Sequence, residues 1–82
     1  MTYQDALDFL HIAENAYEAE AYSESAEIVR KIACFVIDKR NGLSGQQRAE
    51  LTEAVKRSIG RFTFCPDEAL WEDTCGLIDL FE

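Results

Sequence analysis

Three cysteines, Cys34, Cys65 and Cys75, and a single histidine, His11, are the side chains best suited to holding a metal or attacking a substrate. Together they form a legitimate zinc set of three thiolates and an imidazole. Their spacing argues against that use. No C-x-x-C or H-x-x-x-H pair is present to seed a tetrahedral site, and the four ligands would have to converge from separate regions of the chain. His11 follows Asp8 by three residues, but a di-metal carboxylate bundle needs two E-x-x-H motifs and two further glutamates, and neither motif is present. A cysteine nucleophile using His11 as base would also need a group to orient the imidazole and donors for an oxyanion. No loop is rich enough to supply them, and no glycine-rich phosphate loop occurs. The expectation is therefore a non-enzymatic protein with no metal and no cofactor. Cys34, inside the apolar run Ile32-Ala33-Cys34-Phe35-Val36-Ile37, reads as a small packed side chain. Cys65, just before Pro66 at a helix start, is the cysteine whose reactivity a helix dipole would raise.

Carboxylates offer different chemistry, that of recognition. Glu14 and Glu18 near the N-terminus, and Glu68, Glu72 and Asp79 near the C-terminus, fall at helical spacings. Residues four apart on a helix lie about 6 Å apart along its axis. Successive phosphates of a DNA strand are separated by a comparable distance, so a row of this kind can occupy an arginine-lined groove. Trp71, Tyr22 and Phe64 are the candidate aromatic anchors, although each also reads as core or core margin. The partner-binding set is thus Glu14, Glu18, Glu68, Glu72, Asp79 and Trp71.

Charge is segregated along the chain. Residues 1–29 hold seven acids and no base, residues 62–82 hold six acids and no base, and all eight lysines and arginines lie within 30–61 beside three acids. The three blocks carry −7, +5 and −6, giving a net charge of −8 over 82 residues. Such a balance opposes direct contact with nucleic acid or an anionic membrane, since phosphate contacts need clustered cations. The acids either pair with the chain's own central bases or await a basic partner.

Four amphipathic helices are expected to position these groups. Thr2 caps the first, with Asp5 in its positive first turn and Tyr3, Ala6, Leu10, Ala13 and Tyr17 on its core side. Ser23 is the expected cap of the second, whose stripe is Val29, Ile32, Ala33 and Val36, with Glu27 and Lys31 as an i,i+4 pair and Asn41-Gly42 as its left-handed stop. Ser44 and Gln47 match a capping box, followed by Leu51, Val55, Ile59 and Phe62, with Glu53 and Arg57 forming another pair. Phe62-Thr63-Phe64 reads as briefly extended. Pro66 then takes the first position of a fourth helix running to the chain end, with Leu70, Thr74, Leu77, Ile78 and Phe81 inward.

The fold expected is all-α, a compact four-helix bundle or two stacked helical hairpins in one domain spanning 1–82. With 48% hydrophobic residues the chain is too apolar for a disordered acidic tail. Its N-terminus lacks the basic start of a signal peptide, and its longest apolar run is far short of the ~20 residues that span a bilayer. An odd number of cysteines suits a reducing compartment, so a cytoplasmic location is expected. Size, charge and helicity favour an inhibitor that occupies a basic surface of a nucleic-acid-binding protein or nuclease complex. Bacterial nuclease-immunity proteins and phage anti-restriction or anti-CRISPR proteins are similar in those three respects, and no family motif carries the likeness. The alternative is an adaptor or homodimer that completes a thin core by pairing apolar margins near Tyr22, Phe64 and Trp71.

Overall fold

Thr2 starts the first helix through a reciprocal pair of hydrogen bonds. Its hydroxyl accepts from the Asp5 backbone N–H at 3.2 Å, while the Asp5 carboxylate accepts from the Thr2 N–H at 3.0 Å. This capping box opens α1, Tyr3–Glu18, which buries Ala6, Leu10 and Ala13. The computed structural model describes residues 1–81, and Glu82, the last acid of the C-terminal block, lies outside them.

The turn after α1 is made without glycine. Glu20 adopts φ +65°, its N–H donates to the Tyr17 carbonyl, and the Ala21 N–H reaches back to the Ala16 carbonyl at 2.8 Å. These two bonds define a Schellman motif with glutamate in the left-handed position that glycine usually fills. The chain therefore reverses earlier than expected. α2, Tyr22–Ile37, starts from Ala21 with no side-chain cap, and Ser23, the expected cap, lies inside it. Ser25 is buried and donates its hydroxyl to the Ala13 carbonyl at 2.7 Å, joining the two helices where both present small residues. α2 buries the most, with Ser25, Ala26, Val29, Ile32, Ala33 and Val36 in the interior.

Its end is set by a side chain rather than by Gly42. The Asn41 amide donates to the carbonyls of Phe35 and Val36 at 3.0 and 3.1 Å, and the Arg48 guanidinium adds a bond to Val36 at 2.7 Å. Gly42 does adopt φ +74°, but it shapes the loop beyond this cap. Ser44 and Gln47 form the expected capping box, opening α3, Gly45–Arg61, whose stripe Leu51, Val55 and Ile59 is buried together with Phe62.

Residues Phe62–Phe64 form a 3-10 turn instead of an extended link. Asp67, not Pro66, then starts α4, Glu68–Cys75, by accepting the Leu70 N–H on its carboxylate. Pro66 stands before the cap, where its missing N–H is harmless. The fourth helix also stops short of the expected chain end. Thr74, Cys75 and Gly76 are poor helix formers, and a 3-10 segment, Gly76–Phe81, replaces the α-helix there.

Tyr3 donates its phenol to Glu50 at 2.6 Å and Tyr17 donates to the Arg61 carbonyl at 2.7 Å. The start of α1 thus meets the start of α3 and its end meets the end, so the two run parallel with α2 folded back between them. α4 and its 3-10 extension pack on α2 and α3. The result is an all-α bundle of three long helices and one short one around a shared core of Phe62, Ile32, Leu51, Ile59, Val29 and Val55. Among the described residues, no helix is long and apolar enough to cross a membrane.

Candidate interaction surface

The short fourth helix carries the densest group of free carboxylates. Glu68 and Glu72 are exposed one turn apart, with Asp67 at the cap and Asp73 beside them. Asp79 is exposed but lies in the 3-10 segment. Four residues wound at three per turn instead of 3.6 rotate it roughly 80° away from its α-helical position. The expected row of three is therefore a pair, Glu68 and Glu72, with Asp79 turned to an adjoining side.

Two aromatic side chains accompany the pair. Trp71 lies within one turn of both glutamates and is 36% exposed, at the core margin. Phe64 stands on the 3-10 turn against which α4 packs and is 86% exposed. Its near neighbour Phe62 is 1% exposed. Phe64 is therefore not core, and the signal for this was its place off the four-residue stripe that ends at Phe62. Tyr22 belongs to the interior margin instead, meeting Tyr17 edge to face at 5.0 Å while Tyr17 meets Phe62 at 5.2 Å.

On α1, Glu14 and Glu18 are exposed one turn apart. Glu14 shares with Arg57 and Arg61 a cleft of about 230 Å³ between α1 and α3, floored by Leu10, Ala54 and Ser58. No ion pair closes it. Glu14 and Glu18 stand on α1 and the other four expected contact residues on α4 and its 3-10 extension, elements with no close backbone approach to α1.

The ion pairs decide which way the acids look. Among the described residues there are two, Lys31–Glu27 at 3.9 Å and Arg40–Asp38 at 3.5 Å, both between near neighbours in sequence. The expected Glu27–Lys31 pair forms, and the expected Glu53–Arg57 pair does not. No ion pair ties α1 or α4 to the basic centre of the chain. The Asp38 carboxyl is held below its usual range, chiefly by the Arg40 backbone N–H and then by the Arg40 charge.

The thiols and the imidazole stay apart from this chemistry. His11 is exposed on α1, and Cys34, expected to be packed, is exposed too, because it points away from the α2 stripe. Cys65 is half-buried two residues before the Asp67 cap. Cys75 is half-buried, and burial pushes its thiol up. Among the described residues, no three His, Cys, Asp or Glu side chains gather at metal-binding distances.

Comparisons with protein-family models, curated proteins and solved structures find no match. Function must therefore be argued from the surface itself.

Proposed function

We propose that this chain is a small acidic inhibitor that binds a basic, nucleic-acid-binding surface of a partner protein, in the manner of nuclease-immunity or anti-CRISPR proteins. The supporting observation is Phe64, 86% exposed beside the unpaired carboxylates of α4. Burying a phenylalanine is worth roughly 1.5–3 kcal/mol, and the fold leaves most of that free energy unused at this ring. Glu68 and Glu72 supply steering toward a cationic groove, while Phe64 and Trp71 supply the apolar contact that holds the complex once formed. The role requires no catalytic residue and no cofactor. Glu14 and Glu18 belong to a second acidic surface that a large partner reaches only by wrapping around the bundle.

Affinity capture from native cells, with wild type compared against Glu68→Lys/Glu72→Lys and against Phe64→Ser, tests the proposal. A nuclease or nucleic-acid-binding protein retained by wild type, lost from both variants and released by raised salt supports it. Retention unchanged by both variants refutes the α4 assignment. A homodimer using the same ring, the alternative reading, would instead appear in sedimentation as a salt-resistant dimer that Phe64→Ser dissociates.

A further inference from the structure

We propose a second docking surface: the outer groove of the α1–α2 hairpin accepts a basic amphipathic helix from a partner protein. Large apolar side chains are exposed at and along α1, with Met1 49%, Phe9 40% and Ile12 50% exposed. Met1 and Phe9 meet Ile28 and the stem of Lys31 around an apolar cleft of about 80 Å³ between the helices. Phe9 and Ile12 are three apart on α1, and Ile28 and Phe35, both half-buried, are seven apart on α2. A cleft with apolar side chains on both walls suits the apolar stripe of a docked helix, whose anchors recur at i, i+3 or i+4, and i+7.

Its frame selects the occupant. Asp5 and Asp8 on α1, and Glu24 and Glu27 on α2, are all exposed along the hairpin, and Lys31 is already engaged by Glu27 at 3.9 Å. Residues 1–37 hold seven acids against Arg30 and Lys31, a net charge of −5. A second copy docked on this face would bring −5 against −5 within about a Debye length. A segment with lysines or arginines flanking an apolar stripe meets attraction at the rim and burial at the centre.

A labelled synthetic helix with leucines at i, i+3, i+4 and i+7 and lysines elsewhere provides the probe, with the same composition in scrambled order as control. Fluorescence anisotropy is expected to give binding about tenfold tighter for the patterned peptide, a difference that reports apolar burial rather than charge. Ile12→Ser and Phe9→Ser, each checked for helicity by circular dichroism, should weaken it about tenfold. Equal binding of the two peptides, or binding indifferent to Ile12→Ser, overturns the proposal. So does a dimer in sedimentation equilibrium that Ile12→Ser dissolves, because the occupant is then a second copy.

Discussion

Glu20 stands at φ +65° between α1 and α2, the one non-glycine residue with a positive φ among those described. An L-residue in this conformation brings its Cβ against the following carbonyl at a cost of about 1–2 kcal/mol. Glycine avoids the clash but loses more freedom on folding, which returns about 0.4–1 kcal/mol. The carboxylate also sits at the negative end of α1, where removing a charge recovers about 0.3 kcal/mol. Glu20→Gly should therefore stabilise the protein by about 1 kcal/mol, a rise of roughly 4–8 °C in Tm for a domain of this size. Glu20→Ala is the essential control, since it removes the charge but keeps the Cβ and should gain only about 0.3 kcal/mol. Urea unfolding followed by far-UV circular dichroism measures both, and the slope m should match wild type. If Glu20→Gly proves no more stable than Glu20→Ala, the left-handed turn is not the strained element described here.

The two neighbouring phenylalanines should separate cleanly in the same assay: Phe62→Ala costs about 3–5 kcal/mol as a core truncation, and Phe64→Ala changes stability by less than about 0.5 kcal/mol. Asn41→Ala should cost about 1–3 kcal/mol by removing both amide donors from the end of α2, and a shift in urea midpoint below that range would show that water replaces them. At alkaline pH, Tyr3 and Tyr17 titrate above their ordinary value of 10.0, the first through its bond to Glu50 and the second chiefly through burial. Because folding raises these values, the stability they contribute is intact below 10.0 and is lost as the pH rises through their folded values. Thermal unfolding against pH, with tyrosinate absorbance as the titration signal, should show that loss, and Tyr17→Phe should reduce it.

Local signals in the sequence were readable wherever one side chain answers one backbone group. Thr2 with Asp5, and Ser44 with Gln47, are reciprocal pairs whose spacing alone places α1 and α3. The stripe from Leu51 to Phe62 was legible for the same reason, as periodicity reports a single buried face. Ser23 misled because the preceding turn closes through a glutamate in a glycine's conformation, which no residue type announces. The Asn41 cap was hidden because its acceptors lie five and six residues upstream. At the candidate surface, the acids and Trp71 were visible as residue types and Phe64 stood off the stripe that ends at Phe62, whereas the rotation of Asp79 depends on 3-10 winding that composition does not encode.

The charge pattern posed a question that only tertiary geometry answers. Eight bases lie between two acidic blocks, an arrangement that would allow a self-neutralising bundle. The fold spends several of those bases elsewhere: Arg48 closes the end of α2, Lys31 and Arg40 hold adjacent acids, and Arg57 and Arg61 face Glu14 across an open cleft. The carboxylates of α4 consequently remain in water, where they repel one another and oppose compaction. A partner's cations would remove that repulsion on binding. Under the proposed function, binding through α4 and stabilising the bundle would be one event, coupled by mass action, since the bound state draws only on the folded chain.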